Sequence, residues 1–159
     1  MSVDLIAKPI PPFALSDDQG ATVTPATLAG AWTVLYAYPK DATPGCTTEA
    51  CDFRDAWARV QAAGAKVFGI SRDSLASHQK FRTNQELSFP LLSDPDQSLL
   101  ASLGTFDRKV MYGKETEGII RSTFLVDPNG VSRHVGPKVS VKGHVQEVLD
   151  EMEPLQARA

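Results

Sequence analysis

The chain is poor in cysteine: 159 residues carry two, Cys46 and Cys51. Two thiols cannot build the dense disulfide framework of a small secreted domain. Nor do they supply a four-ligand zinc site, because His78, His134 and His144 are scattered singly and no close ligand motif occurs; no metal is expected. There is no apolar run of about 18 residues, so neither a transmembrane helix nor a membrane partner is expected. Met1-Ser2-Val3-Asp4 has no basic stretch leading into an apolar one, so no secretory signal is read and a cytoplasmic, reducing setting is expected. Basic blocks are missing too: 16 Lys and Arg are mixed with 19 Asp and Glu, for a net charge of −3. That argues against nucleic acid as the main partner. Neither common glycine pattern of a nucleotide loop appears, and no cofactor is expected. Repeats and low-complexity tracts are absent. What remains is ordinary for a globular protein, with 42% apolar and 22% charged residues. A single domain spanning 1–159 is expected. In a reducing setting, a lone cysteine pair is catalytic or redox-active more often than structural.

The apolar pattern gives the elements. Phe13-Ala14-Leu15 and Ala21-Thr22-Val23, joined by Asp17-Asp18-Gln19-Gly20, predict an N-terminal hairpin. Trp32 to Tyr38 and Lys66 to Ser71 predict buried strands. Between them Thr43 has the character of an N-cap and Pro44 of a first helical residue, predicting a helix that runs to about Ala63 and stops at Gly64. Ala50, Phe53, Trp57 and Val60 recur at spacings of three and four and define its inward face. Cys46 falls on that face and Cys51 does not. Asp73 or Ser74 caps a helix to about Glu86, with Leu75, His78, Phe81 and Arg82 near one face. A short strand at Phe89 to Leu92, a short helix at Gln97 to Leu103 and a strand at Ile119 to Val126 follow. The turn Asp127-Pro128-Asn129-Gly130 then leads to a hairpin partner at Val131 to Val135. A last helix from about Lys142 to Met152 buries Val145, Val148, Leu149 and Met152, and the tail after Pro154 is expected to fray. The order predicts an α/β fold, a central mixed sheet with helices on both faces. Active groups in such folds gather at the carboxyl ends of strands, where Cys46 lies.

The helix start explains why Cys46 is a candidate nucleophile. In the first turn, unpaired backbone N–H groups and the positive end of the helix dipole favour an anion, here the thiolate. Thr43 adds a hydroxyl able to hydrogen-bond the sulfur or a bound substrate oxygen. Arg121 sits in the apolar run Ile119-Ile120-Arg121-Ser122-Thr123-Phe124-Leu125-Val126, where a charge is costly without a partner. Two readings stand level: it pairs with the thiolate across neighbouring strands, or it begins the strand and reaches solvent.

Residues five apart on an α-helix differ by about 7.5 Å of rise and roughly 140° of rotation, so their Cα atoms lie roughly 8–9 Å apart. A disulfide needs about 4.4–6.8 Å. Cys46 and Cys51 therefore cannot bridge while the helix is intact, but partial unwinding would join them. The bland alternative is two unrelated thiols, one packed and one on the surface. A general disulfide oxidoreductase is disfavoured, because its pair is commonly Cys-x-x-Cys. A redox sensor using the same disulfide is a third possibility.

With these residues in view, the chain resembles the peroxiredoxins, and most of all the bacterioferritin comigratory protein or Q-type group. The resemblance rests on Tyr38-Pro39-Lys40-Asp41 through Thr43-Pro44-Gly45-Cys46-Thr47, which carries the Pro-x-x-x-Thr-x-x-Cys motif. It continues through Glu49-Ala50-Cys51, Phe53-Arg54-Asp55, Gly69-Ile70-Ser71, Asp73-Ser74, Phe89-Pro90-Leu91-Leu92-Ser93-Asp94, Arg121 to Asp127 and Lys142-Gly143-His144. It implies a thioredoxin-like fold and a thiol peroxidase acting on hydrogen peroxide and organic hydroperoxides. Cys46 would be the peroxidatic cysteine and Cys51 the resolving one, joined as an intramolecular disulfide that thioredoxin or a similar dithiol reduces. Pro39 would shield the sulfur, Thr43 would bind the peroxide oxygens, and Arg121 would stabilise thiolate and stretching O–O bond. Glu49 would hold Arg121, or else be a first-turn acid favoured by the helix dipole. His78 and His144 are expected to pack or hydrogen-bond without a catalytic part. The group's members imply a monomer. The stretch Val131 to Pro137 departs from the family, which often has an aromatic residue and no proline there.

Overall fold

The computed structural model describes residues 8–111, 114–119, 121–136 and 143–158. In chain order the elements are β1 (Lys8–Pro9), β2 (Leu15–Asp17), β3 (Thr22–Val23), α1 (Pro25–Leu28), β4 (Thr33–Ala37), α2 (Pro44–Asp55), α3 (Trp57–Ala62) and β5 (Lys66–Ser71). They continue as α4 (Leu75–Gln85), β6 (Leu91–Ser93), α5 (Ser98–Ser102), β7 (Phe106–Met111), β8 (Lys114–Ile119), β9 (Ser122–Val126), β10 (Val131–Gly136) and α6 (His144–Arg158). Eight strands form one sheet in the order β1-β10-β9-β4-β5-β6-β2-β3. The centre is mixed, with β4–β5 and β5–β6 parallel and β4–β9 antiparallel. The expected α/β architecture and N-terminal hairpin are present, with Leu15 opposite Val23.

Side chains on successive strand residues point to opposite faces, and β4 uses this to build two cores. Val34 and Tyr36, with Tyr38 beyond the strand end, pack with Cys46, Ala50, Phe53, Val60, Phe81, Val145, Leu149 and Met152. Leu35 and Ala37 pack on the other face with Leu28, Phe68, Ile70, Leu99, Leu100 and Phe124. Helices α2, α3, α4 and α6 thus cover one face, and α1 and α5 the other. Gly69 in β5 lies under Tyr36: an added Cβ would stand 2.9 Å from the ring's Cζ and Oη. The inward faces expected for α2 and α6 are buried, with Trp57 half-buried.

Several element boundaries differ from expectation. The long helix to Ala63 is two helices, because Ala56 leaves the helical region (φ −91°, ψ 9°). Its carbonyl accepts the amides of both Arg59 and Val60, which carries the chain into α3. The sixth strand begins at Leu91 rather than Phe89, since Pro90 has no N–H for the ladder. The run Ile119 to Val126 is not one strand: Ile119 ends β8, which pairs only with β7 as a separate ribbon, and β9 starts at Ser122. That ribbon carries no alternating apolar signal and was not expected. The tail does not fray after Pro154, because tertiary contacts hold it. Leu155 packs on the core and Gln156 Nε2 donates to the Ala63 carbonyl at 2.9 Å. Met1 to Asp4, Ile120, Pro137 and Lys142 lie outside the described residues. Among the described residues no helix is long and apolar enough to cross a membrane.

Candidate active site

Strand β4 delivers the chain to a loop at its carboxyl end, and the loop delivers it to α2. Thr43 is the N-cap residue in extended backbone and Pro44 is the first helical residue, so Cys46 lies in the first turn. Its side chain is buried, 2% exposed, against the Tyr36, Tyr38 and Phe53 core. The Thr43 hydroxyl makes no cap bond. It donates instead to the Lys40 carbonyl at 2.8 Å, which commits its hydrogen and leaves its lone pairs to accept. Of the two partners open to this hydroxyl in the sequence, sulfur or a substrate oxygen, the sulfur does not take its hydrogen, which closes the turn on Lys40 instead. Pro39 lies half-buried in the same loop.

Arg121 resolves its two readings in an unforeseen way. It does precede the strand, yet it turns inward. One guanidinium nitrogen donates to Cys46 Sγ at 3.1 Å and the other to Glu49 Oε1 at 2.6 Å. The planar fork thus bridges sulfur and carboxylate. Glu49 is wholly buried and lies in the second helical turn, so the first-turn dipole account of it fails. Burial pushes its carboxyl up to about 7, with Arg121 pulling the other way. For Arg121, burial works to lower its basicity, but the charges of Glu49 and Cys46 outweigh it and the net shift is upward. Burial also raises the Tyr36 phenol well above its ordinary value, helped by Glu49 and Cys46, so it stays protonated beside the site.

Among the described residues Glu49 Oε2 has no hydrogen-bond partner, and it faces His144 Nε2 at 3.5 Å. His144 Nε2 is itself 2.7 Å from Thr123 Oγ1. His144 is thus packed against the carboxylate that holds Arg121, nearer the site than its helix position suggested. Cys51 lies on the other face of α2, half-buried, with Sγ directed at Gln85 Oε1 at 3.4 Å. Both cysteines are free thiols and α2 is continuous between them.

Sequence reasoning missed a second cluster beside the loop. Asp41, Asp73 and His78 converge, although His78 stands alone in the sequence. The spacing suits a cation, but the contacts describe a closed hydrogen-bond network. Asp41 Oδ1 accepts from Tyr38 Oη, and Asp41 Oδ2 lies 2.9 Å from Ser77 Oγ and 2.7 Å from His78 Nδ1. Asp73 Oδ2 accepts from the Asp41 amide and from Ser71 Oγ. Nothing in the local pattern marks this cluster, because Asp41 comes from one loop while Asp73 and His78, more than 30 positions away, come from the loop after β5 and from α4.

A buried cysteine at a helix start, forked to an arginine and a carboxylate, is the arrangement of an enzyme that uses a thiolate. The sequence profile of the AhpC/TSA family matches residues 6–135. Peroxiredoxin Bcp of Xanthomonas campestris is 46% identical over 138 residues, 87% of this chain and 85% of that protein. Peroxiredoxin Bcp of Bacillus subtilis is 41% identical over 153 residues, 96% of this chain and 98% of that protein. A solved structure of Xanthomonas campestris bacterioferritin comigratory protein, studied for its alkyl peroxide reduction activity, superposes with a TM-score of 0.88 at 43% identity, covering 91% and 92% of the two chains. The chain therefore belongs to the AhpC/TSA family, as a peroxiredoxin of the Bcp, or Q-type, group with a thioredoxin-like fold. It is a thiol-dependent peroxidase, acting on peroxides at the expense of a reductant.

Proposed function

We propose that Cys46 is the attacking thiol and Cys51 the resolving one, in a cycle closed by thioredoxin or a similar dithiol. The Cys46 thiolate attacks the hydroperoxide oxygen that bears hydrogen. The O–O bond breaks, the sulfur becomes a sulfenic acid, and the departing alkoxide or hydroxide takes a proton to leave as alcohol or water. Cys51 then attacks the sulfenic sulfur, water leaves, and a Cys46–Cys51 disulfide forms. An external dithiol reduces it.

One observation carries this reading: the Arg121 fork between Cys46 Sγ and Glu49 Oε1. A fixed cation there lies against the attacking sulfur and meets the charge that develops on the stretching O–O bond, while Glu49 keeps the fork in place. Thr43, whose hydrogen is committed to Lys40, accepts from the hydroperoxide O–H. Pro39 shields the sulfur from water. Burial in an apolar core suits organic hydroperoxides as well as hydrogen peroxide, in keeping with the alkyl peroxide activity described for the Xanthomonas relative. The protein works as a cytoplasmic monomer in which 1–159 is one domain.

The test supplies hydrogen peroxide or cumene hydroperoxide with thioredoxin, its reductase and NADPH, and follows NADPH. The proposal expects many turnovers with either peroxide, none in Cys46→Ser, and in Cys51→Ser one oxidation to a trappable sulfenic acid. Sustained turnover by Cys46→Ser overturns the roles, and turnover supported by glutathione but not by thioredoxin overturns the reductant.

A further inference from the structure

The turn 40–43 is held more firmly than its length requires. Ala42 has a left-handed backbone (φ 62°), which a residue with a Cβ adopts only against a steric cost. Such a residue persists where its surroundings over-determine it, and these positions gather at functional sites. The over-determination here comes from Asp41. It is 5% exposed, and its carboxylate lies 2.6 Å from Tyr38 Oη, 2.9 Å from Ser77 Oγ and 2.7 Å from His78 Nδ1. Its amide donates to Asp73 Oδ2 at 2.8 Å. His78 in turn is fixed by its other nitrogen, 2.9 Å from the Leu92 carbonyl. Both ring nitrogens are thus engaged, one by the Asp41 carboxylate and one by the Leu92 carbonyl, which fixes the ring's orientation. Two residues along the chain from this clamp, Thr43 closes the turn on Lys40 and opens α2.

We propose that Asp41, clamped by His78, Ser77, Tyr38 and Asp73, is a positioning residue for peroxide reduction: it fixes the turn 40–43 and so aims the Thr43 hydroxyl at the bound hydroperoxide. It touches neither sulfur nor substrate and acts through Thr43. This rests on the reading that Cys46 attacks the peroxide and Thr43 accepts its hydrogen. The clamp's partners come from the end of β4, the loop after β5 and α4, outside the helix that carries both cysteines, so it sets the substrate side of the site independently of Arg121.

Asp41→Asn keeps the shape and the bond to Tyr38 but removes the charge. Its rate constant for Cys46 oxidation, read by stopped-flow fluorescence well below the melting temperature, is expected to fall at least about tenfold, as small misplacements of a positioned group do. Iodoacetamide alkylation of Cys46, which depends on the thiolate and not on Thr43, is expected to stay within about twofold of the native rate. In Asp41→Asn combined with Thr43→Val, the peroxide rate is expected to match Thr43→Val alone. His78 offers a second route that does not need Asp41→Asn to fold. His78→Phe removes the donor to Asp41, whereas His78→Asn keeps a hydrogen near the Nδ1 position, and both lose the Leu92 bond. Partial rescue of the peroxide rate by His78→Asn over His78→Phe supports the clamp. Equal rates in the two His78 variants, a native peroxide rate in Asp41→Asn, or additive losses with Thr43→Val would each overturn it. Peroxide consumption by Cys46→Ser, measured alongside, would overturn the underlying reading instead.

Discussion

At the scale of single residues, the proposed chemistry depends on one fork. Arg121 joins the sulfur to Glu49, and its removal takes a positioned cation from a buried site. Arg121→Ala is expected to slow Cys46 oxidation by roughly 10²–10³, the range for deleting one preorganised donor; stopped-flow fluorescence against peroxide concentration checks this. Glu49 makes a second prediction through its proton. Burial raises its carboxyl from 4.5 to about 7, so between those pH values the folded chain holds a proton that the unfolded chain has released. The stabilisation is present in full below about 4.5 and is lost as pH rises towards 7, a change of roughly 3 kcal/mol at 1.36 kcal/mol per pH unit. Glu49→Gln does not titrate and is expected to lose that part of the slope, as urea unfolding near pH 5 and pH 7.5 would reveal; the native slope retained in Glu49→Gln contradicts it. Cys46, Cys51, Thr43 and Arg121 were legible as residues because each breaks a local pattern. A cap precedes the thiol, and a charge interrupts an apolar run. Asp41 and His78 break none. Their meaning is a contact across 37 positions, which no local spacing encodes.

At the scale of elements, α2 is the part that the proposed cycle requires to change. Cys46 packs inward while Cys51 is directed at Gln85 on α4, and the continuous helix keeps them on different faces. The proposed Cys46–Cys51 disulfide therefore requires α2 to unwind between two boundaries. One is the Asp41 clamp, and the other is Ala56, where the helix is already interrupted. Amide exchange is expected to lose protection across 44–55 in the oxidised form and to keep it in α4 and β5. Unchanged protection across 44–55 contradicts this. Helices and buried strands were readable from their periodicity. The interruption at Ala56 was not, because alanine carries no breaking signal and the inward spacing runs straight through it. The β7–β8 ribbon was missed for a related reason: it pairs with itself outside the main sheet and shows no alternation.

At the scale of the molecule, the sheet separates two cores, and the site sits where β4 ends on the face covered by α2, α4 and α6. The tail closes that face. Glu153 and Asp150 hold Arg59 from α3 at 2.7 Å each, and Gln156 caps the Ala63 carbonyl. A chain ending at Glu153 loses Leu155 and Gln156 and is expected to unfold about 1–2 kcal/mol more easily while keeping its peroxide rate when folded; urea denaturation and the coupled assay check both halves. The α/β mixed sheet followed from element order and the thioredoxin-like fold from the family resemblance, whereas the helical tail was not foreseen, since Pro154 signals an end that core contacts override. Residues, helix and fold meet in one claim: Cys46 takes the oxygen and Cys51 displaces it within the same helix. Mass spectrometry of the reduced protein after one equivalent of peroxide tests that most directly. The account predicts loss of two hydrogens and a single cross-linked peptide joining Cys46 to Cys51, replaced in Cys51→Ser by one added oxygen on Cys46. Consumed peroxide with Cys46 still a free thiol, or oxygen carried first by Cys51, would contradict it.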